Sequence, residues 1–222
     1  MVSERLPDLA PHLDHTLLDR QAGRERVAAL CDEADRWGCA AVCVYPLWVP
    51  LAAERLHRKA PKVATVIGFP SGAHTSEVKR YEAAEAVDRG ATELDVTINL
   101  AWLREGNTEG VYQELAAIVE AAGQPVKAIL ELPLLSAAEV EQAVAIALDA
   151  GVACLKTGTG WSGPVTVAQV QQLVRLSQGR IPIKAAGGIR SLNFALELLA
   201  AGATRLGTSH TATLLQELAQ SA

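Results

Sequence analysis

Three stretches of the sequence share one pattern: DRGATELDV (88–96), DAGVACLKT (149–157) and AAGATRLGT (200–208). Each passes from the end of a predicted helix through a glycine and a small residue into a short apolar run. A glycine directly after a helix is a common C-terminal signal, because it adopts the left-handed conformation at no steric cost. The repeat therefore predicts a chain in which helices alternate with strands.

The same alternation extends over the rest of the chain. We predict eight strands, at residues 13–17, 41–45, 63–68, 93–98, 126–132, 153–157, 181–185 and 205–207. Helical periodicity or capping signals fall between them, at residues 24–37, 76–89, 107–122, 136–150, 165–176 and 192–201. The first range has an apolar stripe of Val27, Leu30, Cys31 and Ala34, and the second has Val78, Tyr81, Ala84 and Val87 at helical spacing. SAAE (136–139) is a capping-box pattern. Runs such as VATVI (63–67) are almost wholly apolar, which is typical of parallel strands that are covered on both faces.

The number and spacing of these elements favour one architecture. Successive strands begin roughly 20–35 residues apart, which is the size of one βα unit. Eight such units in 222 residues predict an α/β fold, a small (β/α)8 TIM barrel, as a single domain over residues 1–222. The alternative is an open doubly wound sheet, but no G-x-G-x-x-G follows a predicted strand to support a dinucleotide site.

Composition excludes several classes of protein. Half of the residues are apolar and 20% are charged, which excludes a disordered chain. A net charge of -5 argues against a general nucleic-acid binder. No apolar stretch approaches the roughly 18 residues of a membrane span, and no signal-peptide pattern is visible, so a cytoplasmic protein is expected. The four cysteines lack C-x-x-C spacing, which predicts free thiols.

In such a barrel the active site lies at the carboxyl ends of the strands. The polar residues predicted there are Asp14, Cys43, Asp95, Asn99, Lys127, Glu131, Lys156, Thr157, Thr159 and Lys184. Two lysines stand inside apolar strands, in LKTGTG (155–160) and IKAAGG (183–188). Ammonium groups held close together lower each other's pKa, and a neutral lysine amine can form a Schiff base. The alternative is an ion network that serves only the core.

Glycine-rich loops follow the seventh and eighth predicted strands, in AAGGIRS (185–191) and LGTSHT (206–211). Barrels frequently bind phosphate with these two loops and a helix N-terminus, although the glycines could also be ordinary turn residues. His12, Asp14 and His15 could be considered a metal cluster, but no further ligand obviously completes it. We therefore expect no metal site.

Taken together, these phrases resemble the deoxyribose-phosphate aldolase family, which are class I aldolases on a (β/α)8 barrel. The resemblance runs in family order through LDHTLL (13–18), AVCVYP (41–46), KVATVIGFPSGA (62–73), GATELDVTIN (90–99), VKAILE (126–131), LKTGTG (155–160), IKAAGGIRS (183–191) and GATRLGTS (202–209). It implies reversible cleavage of 2-deoxy-D-ribose 5-phosphate to acetaldehyde and D-glyceraldehyde 3-phosphate.

The resemblance also implies roles for individual residues. Lys156 matches the Schiff-base lysine, Lys184 the second lysine that assists it, and Asp95 an acid/base residue that works through a water. The positions that match the family's substrate pocket are Asp14, Cys43, Lys127, Thr157 and Thr159. Those that match its phosphate-binding segments are Gly160, Gly187, Gly188, Gly207 and Ser209. Family members need no cofactor, are cytosolic and are often homodimers or homotetramers; their partners are phosphorylated sugars and aldehydes, not nucleic acid or membrane.

Three positions depart from the family pattern. Gly158 and His210 stand where a serine is usual, and Leu132 stands where a threonine is usual. The catalytic set is intact, so the departures concern substrate binding and turnover more than the type of reaction. The alternatives are another class I aldolase or a transaldolase-like enzyme, a metal-dependent aldolase, and a catalytically silent sugar-phosphate binding protein.

Overall fold

A computed structural model of the protein describes residues 8–221. It contains eight parallel strands: β1 (Leu13–Leu17), β2 (Ala41–Val44), β3 (Lys62–Ile67), β4 (Glu93–Thr97), β5 (Val126–Ile129), β6 (Cys154–Lys156), β7 (Ile183–Ala186) and β8 (Arg205–Thr208). Each strand pairs with the next, and β1 pairs with β8. The predicted (β/α)8 barrel is therefore confirmed, and the open sheet is excluded. Residues 1–7 and 222 of the predicted domain lie outside the described part.

Helices surround the barrel. They are α1 (Arg24–Trp37), α2 (Val49–Arg55), α3 (Ser76–Asp88), α4 (Leu100–Arg104), α5 (Thr108–Ala122), α6 (Ala137–Asp149), α7 (Val167–Ser177), α8 (Leu192–Ala200) and α9 (Thr211–Ser221). The six helical ranges predicted from the sequence agree with the structure to within two residues at each end. Helices α2 and α4 were missed, since elements of seven and five residues are too short to show a clear helical period. No bounds were predicted for α9.

Local sequence signals account for several helix ends. Ser136 and Glu139 form the capping box expected at α6, with the serine hydroxyl accepting from the Glu139 amide and the glutamate accepting from the Ser136 amide. Helix α1 ends at Gly38, whose φ of 71° is the left-handed conformation expected of a C-terminal glycine. The predicted buried stripe of α1 is also confirmed, with Val27 and Leu30 among its buried members.

The predicted buried face of α3 is wrong. The apolar stripe proposed for this helix included Val78 and Tyr81, but these side chains are 50% and 73% exposed. The buried residues of α3 are instead Lys79, Ala83 and Ala86. The helix turns its small side chains toward the barrel, and the buried ammonium of Lys79 is neutralised by Glu114 of α5 at 2.7 Å.

Apolar residues fill two separate regions of the molecule. The larger one lies between the helices and the outer face of the strands, as in other barrels. The smaller one lies inside the barrel and consists of Ala41, Cys43, Ala64 and Val66, from β2 and β3. The charged residues of the interior lie on the other strands, β4 to β8 and β1, which places the chemistry on that side.

The state of the four cysteines agrees with the sequence prediction of free thiols. Cys31, Cys39, Cys43 and Cys154 are all buried free thiols, so Cys39 and Cys43 do not pair. Within residues 8–221, every helix is too short or too polar to cross a membrane.

Candidate active site

Strand alternation turns a group of charged side chains toward the barrel axis. Asp95 of β4 pairs in register with Lys127 of β5, and Lys156 of β6 pairs with Lys184 of β7. Side chains in register lie on the same face of a sheet. Three carboxylates and four cations meet in this way, those of Asp14, Glu93, Asp95, Lys127, Lys156, Lys184 and Arg205. The interior of the barrel thus holds one more cation than anion.

Asp95 is the centre of this network. Its two carboxylate oxygens accept from the ammonium groups of Lys127 at 2.9 Å, Lys156 at 2.8 Å and Lys184 at 2.7 Å. The side chain is completely buried. Burial alone raises the pKa of Asp95, but the three neighbouring lysines outweigh it and hold the pKa well below its ordinary value. Asp95 is therefore an ionised hydrogen-bond acceptor at neutral pH, and its contacts are those of the ion network that the sequence left open as the alternative.

Lys184 departs from the sequence prediction that two close lysines lower each other's pKa. Burial by itself lowers the pKa of Lys184, but Asp14 at 2.5 Å and Asp95 at 2.7 Å raise it well above the ordinary value. The prediction left out the two carboxylates that contact this ammonium. Lys184 therefore stays a cation over the whole neutral range, fixed next to the Lys156 side chain.

Asp14 joins the network from β1. Its carboxylate contacts Lys184 and the guanidinium of Arg205, the latter at 2.6 Å. Burial raises the pKa of Asp14, and Lys184, Lys127 and Arg205 together reverse this, so that the pKa is below its ordinary value. The pair of Asp14 and Arg205 also links the first strand of the barrel to the last.

A cavity of about 430 Å³ opens above one side of the network. It is lined by Lys156, Thr159 and all five residues that were predicted to bind phosphate, Gly160, Gly187, Gly188, Gly207 and Ser209. Arg26, Arg190 and His210 line the same cavity. Lys156 is the lysine of the network that reaches this space, since Lys127 and Lys184 are absent from its lining.

The glycines of the cavity are required by close packing. A Cβ atom on Gly187 would lie 3.1 Å from the Cα of Gly160, and one on Gly207 would lie 3.2 Å from the Cε of Lys184. Gly187 also has a φ of 112°, which L side chains rarely adopt. The hydroxyl of Thr208 donates to the Ile189 carbonyl at 2.7 Å and joins the two loops. Main-chain amides in such loops can approach an anion closely.

Four of the five residues predicted to bind substrate lie outside the lining of the cavity. Asp14 and Lys127 are members of the ion network, and Thr157 exchanges hydrogen bonds with the backbone of Ala186. Cys43 is buried in the apolar cluster inside the barrel, where burial raises the pKa of its thiol. Of this set, Thr159 is the residue that lines the cavity. Direct substrate contact by the other four stays a prediction.

Sequence reasoning missed two members of the network, Glu93 and Arg205. Glu93 forms an ion pair with Lys127 at 2.6 Å and accepts a hydrogen bond from Arg205 at 3.4 Å. Both residues lie at the first position of their strands, so they seemed too far from the carboxyl ends to belong to the site. The available signal was their alternation with Asp95 and Gly207, which puts all four on the inward face.

His12, Asp14 and His15, which the sequence offered as a possible metal cluster, contact three different parts of the molecule. His12 contacts the Thr204 carbonyl, His15 points outward to Glu33 at 3.0 Å, and Asp14 points into the barrel. Over residues 8–221, no three His, Cys, Asp or Glu side chains are grouped to hold a metal ion.

Comparisons with known proteins agree with the fold and the site. A family model described as DeoC/LacD family aldolase matches residues 10–211. The deoxyribose-phosphate aldolase of Thermosynechococcus vestitus is 59% identical over 216 residues, which cover 97% of this chain and 100% of that protein. The deoxyribose-phosphate aldolase of Cyanothece sp. is 57% identical over 209 residues, covering 94% of this chain and 92% of that protein.

Solved structures show the same barrel. The structure of QR15, an aldolase, is 34% identical, with a TM-score of 0.93 and coverage of 97% of each chain. The tetrameric deoxyribose phosphate aldolase from Aeropyrum pernix is also 34% identical, with a TM-score of 0.91 over 98% of this chain and 95% of that chain. The chain belongs to the DeoC/LacD family of aldolases.

Proposed function

We propose that this chain is a class I aldolase that reversibly cleaves 2-deoxy-D-ribose 5-phosphate to acetaldehyde and D-glyceraldehyde 3-phosphate. One observation carries the proposal: the Lys156 ammonium contacts Asp95 at 2.8 Å and lines a cavity that is rimmed by glycine-rich loops. The names of the curated relatives support the substrate.

Lys156 is the nucleophile in this proposal. Its neutral amine adds to the C1 aldehyde of the open-chain sugar, and loss of water gives an iminium that withdraws electrons from C2. The C3 hydroxyl gives up its proton, the C2–C3 bond breaks, and its electron pair forms an enamine. Protonation of the enamine at C2 and hydrolysis release acetaldehyde and free Lys156. Covalent catalysis of this kind supplies the electrophile from the protein itself.

The neighbouring charges favour Lys156 over the other two lysines. Lys127 and Lys184 each contact two carboxylates, whereas Lys156 contacts Asp95 alone. Loss of the proton from Lys156 leaves three cations opposite three carboxylates. A balanced set of buried charges costs less than one with an uncompensated cation.

Asp95 acts on protons through a water, because its own oxygens are occupied by three ammonium groups. When Lys156 gives up its charge to form the enamine, one of these contacts weakens. The carboxylate is then free to accept a hydrogen bond from the water that takes the C3 hydroxyl proton. A positioned acid/base group typically contributes about 10²–10⁴-fold to the rate.

The phosphate of the substrate is assigned to the loops after β7 and β8. Amide groups near Gly187, Gly188 and Ser209 line the cavity and face the same space as Lys156. The substrate pocket is assigned to Asp14, Cys43, Lys127, Thr157 and Thr159. This enzyme is taken as a single domain over residues 1–222 that acts in the cytoplasm, without a cofactor, as a homodimer or homotetramer.

Reductive trapping tests the proposal. Incubation with acetaldehyde and borohydride should add an ethyl group to the peptide that contains Lys156, and cleavage activity should persist in EDTA. A chain that binds deoxyribose 5-phosphate without turnover would be the silent binding protein. Loss of activity in EDTA would indicate a metal-dependent aldolase, and preference for another sugar phosphate would indicate a different class I aldolase.

A further inference from the structure

Glu131 occupies an unusual position beside the proposed site. It follows β5 at the carboxyl end of the barrel, and its φ and ψ of 57° and 51° are left-handed. Residues other than glycine seldom adopt this conformation, and where they do it often serves a functional segment. The mechanism proposed above does not use Glu131.

The Glu131 side chain is nearly completely buried, with 2% of the residue exposed. Its carboxyl oxygens accept hydrogen bonds from one donor, the Thr159 amide, at 3.3 and 3.2 Å. It takes part in none of the ion pairs formed among residues 8–221. A carboxyl group is expensive to bury without a cation, so this contact needs an explanation other than stability.

Gly158 makes the contact possible. A Cβ atom at this position would lie 2.8 Å from the Oε1 atom of Glu131. The backbone of Gly158 does not have a positive φ, so space, and not conformation, requires the glycine. This is one of the positions where the family usually has a serine, and the side chain of a serine would displace the Glu131 carboxyl group.

Two hydrogen bonds fix the position of Thr159. Glu131 accepts from its amide, and its hydroxyl oxygen accepts from the Trp161 amide at 3.0 Å. Thr159 and the following Gly160 both line the cavity. Gly160 in turn packs against Gly187, where a Cβ would meet its Cα at 3.1 Å. The position of the Thr159–Gly160 segment therefore determines one wall of the anion-binding loops.

We propose that Glu131 is a positioning residue that acts through Thr159, and that Gly158 provides the space for it. Together they fix the Thr159–Gly160 segment against the phosphate end of the substrate, so they determine how strongly a phosphorylated sugar is preferred over an unphosphorylated one. This inference rests on the function proposed above and assigns a specificity determinant within it.

The test compares KM for deoxyribose 5-phosphate and for deoxyribose. Glu131→Met removes the acceptor, and Gly158→Ala displaces the carboxyl group while leaving Glu131 in the chain. Each should raise KM for the phosphorylated sugar about tenfold, as expected for one lost hydrogen bond to a charged group. KM for deoxyribose should rise by a smaller factor, because Thr159 also faces the sugar, and kcat for both sugars should change less than about twofold. Glu131→Gln keeps an acceptor and should restore a KM near that of the unmodified chain.

The double variant Glu131→Met/Gly158→Ala should be no worse than either single variant, since both remove the same contact. Glu82→Met is the matched control, because Glu82 also accepts from a backbone amide that follows a strand, that of Gly68 after β3. Additive effects, or a KM that rises equally for both sugars, would overturn the inference. A parent chain that cannot cleave deoxyribose 5-phosphate would overturn the proposed function, and this inference with it.

Discussion

The two halves of the barrel interior are built in opposite ways. Strands β2 and β3 contribute the small apolar residues Ala41, Cys43, Ala64 and Val66, which pack together. The remaining strands contribute seven charged residues that pair across the axis. The backbone geometry is the same in both halves. The barrel interior can therefore be made of apolar residues or of charged residues. The cavity opens above the charged half.

The buried ion pairs of the charged half contribute little to the free energy of folding. Desolvation of buried ions offsets most of their mutual attraction, and well-packed apolar residues would serve the fold equally well. Removal of one partner is nevertheless costly, because the other charge stays buried. We therefore expect substitutions in the charged half to affect activity and stability together, and substitutions in the apolar half to affect stability alone.

The largest effect is expected for Lys156→Ala. Loss of the nucleophile should lower kcat/KM by roughly 10⁴-fold or more, since removal of a nucleophile abolishes the covalent route. The variant should fold, because three cations then face three carboxylates. Borohydride trapping with acetaldehyde and peptide mass mapping provide the measurement. An ethylated lysine in this variant would refute the assignment of the nucleophile.

Asp95→Asn should lower both the stability and the activity of the protein. Three ammonium groups lose their shared carboxylate, so the free energy of unfolding should fall by about 3–5 kcal/mol. The same change should lower kcat by about 10²–10⁴-fold. Urea unfolding and steady-state kinetics measure the two quantities, and Val66→Ala in the apolar half is the control. A stable, fully active variant would mean that Asp95 is neither the centre of the network nor the proton-handling group.

Lys184→Met should change how the activity depends on pH. The pKa of Lys184 is held far above its ordinary value by Asp14 and Asp95, so its ammonium persists throughout the assay range. Without it, loss of the Lys156 proton leaves two cations opposite three carboxylates, so the neutral amine is disfavoured at pH 7. Activity at pH 7 should fall roughly 10- to 100-fold and partly recover in alkali. A uniformly lowered profile would indicate that Lys184 acts in another way.

Val66→Thr adds a hydroxyl to the apolar half without changing its shape. An unsatisfied buried hydroxyl should lower the free energy of unfolding by about 1–3 kcal/mol and leave kcat unchanged. The reverse change, Thr97→Val, should be nearly neutral for stability, because the Thr97 hydroxyl on β4 has no hydrogen-bond partner among residues 8–221. Urea unfolding of both variants makes the comparison. Equal stability losses would contradict the contrast between the two halves.

The smallest effect is expected at the cavity mouth, where His210 stands in place of the usual serine. Its ring nitrogen Nδ1 lies 3.2 Å from the Ser209 hydroxyl, and the residue lines the cavity. A ring N–H next to a phosphate can donate a hydrogen bond to it. His210→Ala should therefore raise KM for deoxyribose 5-phosphate several-fold and leave KM for deoxyribose unchanged. An unchanged KM for both sugars would show that His210 does not contact the phosphate.

Local patterns in the sequence predicted the barrel well, because each βα unit carries its own signals. The Ser136 capping box and the buried stripe of α1 are examples of signals within one element. The wrong face of α3 shows the limit of this reasoning. Apolar periodicity pointed to Val78 and Tyr81, whereas the buried side of the helix accommodates Lys79 through a partner on α5, which no local pattern encodes.

The candidate site was predicted in part. Lys156 and Lys184 were identifiable because lysines inside apolar strands are rare, and the glycine-rich loops were identifiable by composition. The contacts of Arg205 with Asp14 and of Glu131 with Thr159 join residues that are distant in the chain. They depend on strand register and on side-chain rotamers, which follow from the closed barrel and not from any short stretch of sequence.

The closure of the barrel by its first and last strands has a consequence for synthesis on the ribosome. Asp14 leaves the ribosome well before its partner Arg205, which lies on β8, 191 residues further along the chain. Until then Asp14 and β1 lack their neighbour on one side, so the nascent chain has an open sheet edge next to an unneutralised carboxylate. Domains often acquire structure from the N-terminal end as they emerge. In this chain the charged interior can be completed only in one late step, and translation that stops before β8 yields a product without a closed barrel.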